Sequence, residues 1–93
     1  MDIEAFQGLM AETYGTRDRA RGIDATIAWL TEELGELARA IRKGTAAEQL
    51  HELGDVLAWL ASLADQLGLS LAEAARRYEH GCPVCGQTPC ACT

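Results

Sequence analysis

Two apolar stripes at helical spacing constrain this chain more than any other feature. Ile23, Ile27, Leu30, Leu34, Leu37 and Ile41 recur at alternating steps of four and three residues, and Leu50, Leu53, Leu57, Leu60, Ala64 and Leu67 do the same. That step marks one face of an α-helix, and no run in the sequence alternates as a strand would. Two such helices on either side of Gly44 predict an antiparallel hairpin zipped along its seam. Val56, Trp59 and Leu63 widen the apolar arc of the second stripe to roughly 200°. A chain of 93 residues buries only about 60–65% of its unfolded surface, too little to cover that arc. The expectation is an all-α antiparallel bundle of three long helices plus a short fourth, completed by dimerisation, homodimeric at least.

Local signals set the expected boundaries. A first helix runs from Asp2 to about Tyr14 on Ile3, Phe6, Leu9 and Met10, Gly15 stops it, and residues 16–22 read as a charged loop. A second runs from about Asp24, a plausible N-cap, to Lys43, where Arg42 and Lys43 suit the C-terminal dipole and Gly44 the stop. Thr45 caps a third helix, Ala46 to Leu67, and Ser70 with Glu73 forms a capping box for a fourth that reaches about Tyr78.

Charge and composition exclude several classes of protein. Hydrophobic residues at 48% and charged residues at 24% are globular chemistry, not that of a disordered chain. Fourteen acidic against eight basic side chains give a net charge of −6, which argues against nucleic-acid binding by bulk electrostatics. The longest charge-free stretch before the last twelve residues, Val56 to Ala64, is nine residues, far short of a bilayer span. No basic n-region and apolar h-region open the sequence, so a cytoplasmic setting without membrane contact is expected.

Acidic residues cluster on the two central helices as Glu32-Glu33-Leu34-Gly35-Glu36 and Glu52-Leu53-Gly54-Asp55. Glu33 and Glu36 share a helix face, as do Glu52 and Asp55. All four flank the leucine seam. If the hairpin turns at Gly44, residues whose numbers add to about 88 lie level, which pairs Glu36 with Glu52, Glu33 with Asp55, and Trp29 with Trp59. Four carboxylates on two adjacent rungs repel one another and need counter-charge. Arg39, Arg42 and Lys43 are near, but Mg²⁺ is the more natural partner, since it prefers oxygen ligands and bridges to phosphates. A solvated acidic surface is the plain alternative. A di-iron site would need Glu-x-x-His pairs, and His51 directly precedes Glu52 instead. Gly35 and Gly54 inside helices suggest close helix approach or tolerated defects.

These motifs resemble the MazG-type nucleotide pyrophosphohydrolases of the all-α NTP pyrophosphohydrolase superfamily. The resemblance rests on Trp29-Leu30-Thr31-Glu32-Glu33-Leu34-Gly35-Glu36-Leu37 and Glu52-Leu53-Gly54-Asp55-Val56, with fifteen residues between Glu36 and Glu52, and on Tyr14-Gly15-Thr16-Arg17-Asp18 and Arg21-Gly22 upstream. It implies Mg²⁺-dependent cleavage of a nucleoside triphosphate between the α and β phosphates, to NMP and pyrophosphate, in the service of nucleotide-pool housecleaning. It carries Glu33, Glu36, Glu52 and Asp55 over as metal ligands and Glu32 as the catalytic group beside them, in the second shell or orienting the attacking water. A phosphoribosyl-ATP or dUTP/dCTP pyrophosphatase belongs to the same superfamily. Substrate-binding candidates are Trp29 and Trp59 as stacking walls for the base or as packing residues, and Lys43. Arg17, Arg19 and Arg21 could reach a triphosphate or stay solvated.

All four cysteines fall in the last twelve residues, as Cys82-Pro83-Val84-Cys85 and Cys90-Ala91-Cys92. Two tight turns offering four thiolates suit a closed structural Zn²⁺ site, with free or oxidised thiols as the alternative. The expected division is a helical catalytic domain over residues 1–80 and a Cys₄ zinc-binding tail over residues 81–93. A non-enzymatic, zinc-containing helical interaction module is the competing function, and the acid ladder discriminates against it.

Overall fold

A computed structural model describes residues 1–93 as an all-α protein. Its elements are α1 (Ile3–Arg21), α2 (Ile23–Lys43), α3 (Ala46–Gln66) and α4 (Leu71–Ala75), followed by a 3-10 turn at Arg76–Tyr78 and a cysteine-rich segment. The central helix is α3, which packs against both α2 and α1, whereas α1 meets α2 only lightly. No helix is long and apolar enough to cross a membrane.

The caps explain most of the boundaries. Asp2 accepts the Ala5 N–H at 2.7 Å and opens α1. Thr45 and Glu48 form a reciprocal capping box at the start of α3, and Ser70 accepts the Glu73 N–H at 3.1 Å. Gly44 ends α2 in an extended conformation at φ −100°. A Cβ there would lie 2.8 Å from the Ala40 carbonyl oxygen and 3.1 Å from the Ala40 Cα, so the hairpin turn demands glycine. The Gln7 side chain ties α4 to α1, donating to the Leu69 carbonyl and accepting the Leu71 N–H, both at 2.8 Å.

Two local expectations are corrected. Gly15 does not stop the first helix, which continues without a break to Arg21. Gly15 and Asp18 are buried, so tertiary packing outweighs the ~1 kcal/mol helix cost of a glycine. The chain breaks at Gly22 instead, at φ +90°, and Gly22, not Asp24, is the N-cap of α2.

The third correction concerns the seam. Within the chain, α2 shields Thr26, Leu30, Glu33, Leu37 and Ala40, and α3 shields Gln49, Glu52, Val56, Trp59, Leu63 and Gln66. Across this inner stripe Gln66 donates to the Thr26 hydroxyl at 2.8 Å and Gln49 to the Ala40 carbonyl at 3.3 Å. Of the predicted seam, Leu30, Leu37 and Ala64 are shielded, but most of the rest faces outward: Leu50 is 72% exposed, Ile41 62%, Leu53 54%, Leu34 49%, Ile27 47% and Leu57 46%. Val56, Trp59 and Leu63, which widen the apolar arc of α3, are part-buried within the chain itself. Of the two readings for Gly35 and Gly54, the tolerated defect holds: both have open space where a Cβ would stand.

Only Ala40, Ala61 and Ala64 are fully buried apolar residues. The radius of gyration is 15.4 Å, against about 12 Å for a compact domain of this length. The fold is a flattened layer of three long helices with one apolar side uncovered.

Candidate functional site

The rotation of the hairpin puts acids where a purely structural interface would place apolar side chains. Glu33 and Glu52 belong to the inner stripes of α2 and α3, with Asp55 beside them, all three partly buried; Glu32 and Glu36 are exposed. Glu33 is held above the ordinary carboxylate range, first by burial and then by the charges of Asp55, Glu52, Glu36 and Glu32. The largest charge effect comes from Asp55, its partner on the predicted rung. One turn further from the loop, Trp29 and Trp59 stack with ring centroids 5.9 Å apart and planes 14° from parallel.

His51 joins this cluster. Its Nε2 lies 3.3 Å from Asp55 Oδ2, and ligand atoms of His51, Glu52 and Asp55 lie within 4.8 Å of one another. In the sequence, His51 bears only on the exclusion of a di-iron site. The available signal was its spacing of four from Asp55, one helical turn.

The ladder runs between two cavities. At the turn end, a space of about 590 Å³ is lined by Glu36, Arg39, Lys43, His51 and Glu52 among others, joining acids to two cations. Toward the other end, about 280 Å³ between α1 and α3 is bordered by Tyr14, Arg17, Asp18, Asp55, Trp59 and Ser62. Lys43 thus sits on the ladder's margin. Trp59 has Trp29 against it and the Arg21 guanidinium 4.6 Å from its ring centroid; Trp29 remains 46% exposed. Arg17 reaches the smaller cavity, and Arg19 folds over Gly15, its Nη1 3.2 Å from where a Cβ would be.

In the tail, Gly81 has φ +96° and Gly86 φ +72°, conformations natural to glycine. They frame a turn in which Gly86 N–H donates to the Cys82 carbonyl at 2.7 Å and Cys82 N–H to the Gln87 carbonyl at 3.1 Å. The turn gathers Cys82, Cys85, Cys90 and Cys92, whose sulfurs lie within 4.8 Å of one another. The Ala91 N–H points at Cys85 Sγ at 3.3 Å and the Cys92 N–H at Cys90 Sγ at 3.4 Å. The backbone N–H groups of Cys85 and Val84 lower the Cys82 thiol to about 6. Cys85 is lowered too, chiefly by the Ala91 N–H, while Cys90, Cys82 and Cys85 push Cys92 up to about 11. Four convergent sulfurs supported by amides are a donor set that could hold a metal ion.

The acid-bearing helical hairpin and its partner α1 define a protein class. Residues 21–80 match the MazG nucleotide pyrophosphohydrolase domain, and the chain belongs to that family. It is also 44% identical over 66 residues to the uncharacterized protein YpjD of Bacillus subtilis (strain 168), a match covering 60% of this chain and 60% of that relative. The chain therefore spans less than two thirds of the length of that relative.

Proposed function

We propose that this protein is a Mg²⁺-dependent nucleoside triphosphate pyrophosphohydrolase, cleaving NTP or dNTP between the α and β phosphates. One observation carries the reading: Glu33, Glu52 and Asp55 are part-buried together on the facing helices, and burial and four neighbouring acids raise Glu33. Side chains selected only for stability would not be arranged so. Glu33, Glu36, Glu52 and Asp55 fit a hard, oxygen-loving cation, which supplies charge neutralisation to the phosphates when bound.

The chain's own residues divide the remaining work. Arg39 and Lys43, at the turn end, hold the β and γ phosphates. Glu32 lies next to the ladder on the solvent side and orients a water molecule toward the α phosphorus. As the water oxygen bonds to that phosphorus, the bond to the α–β bridging oxygen breaks. Pyrophosphate leaves with the bond's electron pair, and Glu32 receives the water proton.

Two assembly features complete the reading. The outward leucine face seats a second copy of the chain, closing the bundle as a homodimer. Residues 1–80 form the catalytic body, and the tail at residues 81–93 takes a structural Zn²⁺ through its four cysteines. The setting is cytoplasmic, with nucleotides as small-molecule partners.

Incubation with Mg²⁺ and a panel of NTPs and dNTPs tests the activity. NMP and pyrophosphate are the expected products. Release of orthophosphate and a nucleoside diphosphate, or no turnover by folded dimer across the panel, would overturn it.

A further inference from the structure

The sulfurs of the tail come from residues 82–92 alone and lie within 4.8 Å of one another. Cys90 and Cys92 are exposed, and Cys82 and Cys85 are half-buried. Two contacts are closer than the rest of the cluster requires: Cys82 Sγ to Cys92 Sγ at 3.7 Å, and Cys85 Sγ to Cys90 Sγ at 4.0 Å. Sulfurs on one edge of a zinc tetrahedron stand about 3.8 Å apart. The same two contacts therefore suit a metal site and lie one short movement from covalent bonds. Each contact joins the first turn of the tail to the second, and each sets an exposed sulfur against a half-buried one. Exposed thiolates with a second cysteine beside them are the ones that oxidise reversibly, and exposed disulfides are the ones that thiols readily reopen.

We propose that the tail is a reversible oxidation site, at which a hydroperoxide converts the four thiolates into the disulfides Cys82–Cys92 and Cys85–Cys90 and frees the zinc. The proposal rests on the zinc reading of the tail and is independent of the pyrophosphohydrolase reading. An exposed thiolate, Cys90 or Cys92, attacks the peroxide. A sulfur–oxygen bond forms, the oxygen–oxygen bond breaks, and the departing hydroxide takes a proton to become water. The half-buried partner, Cys85 or Cys82, then attacks the sulfenic sulfur as a thiolate. The disulfide forms, the sulfur–oxygen bond breaks, and a second hydroxide leaves and is protonated to water. Each disulfide consumes one peroxide and two protons, and two electrons pass from sulfur to oxygen. The first disulfide leaves the ion two thiolates and the second leaves it none. Both bonds follow contacts already present between the two turns, so the tail exchanges a metal crosslink for covalent ones between the same residues and releases its ion without unfolding.

Titration of the full-length, zinc-loaded protein with hydrogen peroxide tests this, with a chromogenic chelator present that is too weak to strip the reduced site. About two peroxide molecules should be consumed per zinc released, and the chain should lose about 4 Da with no free thiol left. In the oxidised protein, NMR cross-peaks between the Hβ protons of Cys82 and Cys92, and of Cys85 and Cys90, identify the pairs without any variant. Dithiothreitol followed by zinc should restore the original mass and metal content. Zinc held until the sulfurs gain about 32 Da each as sulfinic acids, disulfides between chains, or the pairs Cys82–Cys85 and Cys90–Cys92 would overturn the proposal. The metal-free reduced protein, oxidised in parallel, separates the two readings. The same pairs in a tail that takes up no zinc refute the metal and keep the oxidation site, and zinc uptake with neither disulfide does the reverse.

Discussion

Trp29 and Trp59 lie face to face across the α2–α3 hairpin, their ring centroids 5.9 Å apart. The stack fixes the register of two helices whose interface mixes carboxylates and amides with Leu30, Leu37, Val56 and Leu63, and it closes the ladder on the side away from the turn. Arg21, over the Trp59 ring, extends the same column to the end of α1. One aromatic pair thereby connects all three long helices beside the acids.

Replacing Trp29 with alanine should remove the interaction of the stacked rings, about 1 kcal/mol beyond the lost area, and loosen the ladder next to it. Urea unfolding would show a lower midpoint. Near-ultraviolet circular dichroism would lose the signal of coupled indoles in either single tryptophan variant. A full indole signal in Trp29→Ala would show that the rings do not stack in solution.

Glu33→Gln removes a charge that burial and neighbouring acids oppose. Without divalent metal, the variant should melt a few degrees above wild type, since repulsion is relieved and shape is kept. With Mg²⁺ the order should reverse, because only the wild type gains stability from the ion. Turnover should drop at least about 100-fold. A thermal shift series with and without Mg²⁺ checks both signs in one experiment.

Leu53, 54% exposed on the outward face, is well placed to test assembly. Sedimentation of the wild type should give a species of at least twice the 10.0 kDa chain mass. Leu53→Glu would bury a charge in the proposed contact and should shift the distribution toward monomer, with loss of helical signal at low concentration. A wild type that sediments as a single chain would remove the dimer from the reading.

The cysteine segment should bind about one zinc per chain by elemental analysis. Because its four sulfurs come from residues 82–92 alone, stripping the zinc should disorder that segment and leave the helical circular dichroism nearly intact. Cys82→Ser should lower zinc content sharply. Collapse of the helices on mild chelation would mean instead that the tail supports the bundle.

Gly44→Ala tests the turn. The added Cβ meets the Ala40 carbonyl oxygen at 2.8 Å, so backbone must shift and stability should fall by about 1–3 kcal/mol. The same change at Gly35, where space is open, should raise stability by about 0.5–1 kcal/mol through helix propensity. Unfolding of the two variants side by side separates a required glycine from a tolerated one.

The sequence by itself determined the helical class, the turn at Gly44, the capping of α3 by Thr45, and the level pairing of Trp29 with Trp59. Each follows from a period, a cap or a count along the chain, quantities that local chemistry controls. It also brought Glu33 and Asp55 to one rung, which is why the charge on one disturbs the other. Tertiary structure alone decided which apolar arc closes the hairpin. On α3 the apolar arc is so wide that periodicity names its members but not the side that meets α2. Packing used Val56, Trp59 and Leu63 inside and left Leu50, Leu53 and Leu57 outside. The same held for α1: a glycine and a run of charges read locally as a loop, yet burial of Asp18 against α3 carried the helix through to Arg21. His51 beside Asp55 and the burial of Asp18 were hidden for one reason. A side chain's neighbours depend on helix rotation, and rotation is settled only when whole faces compete for burial.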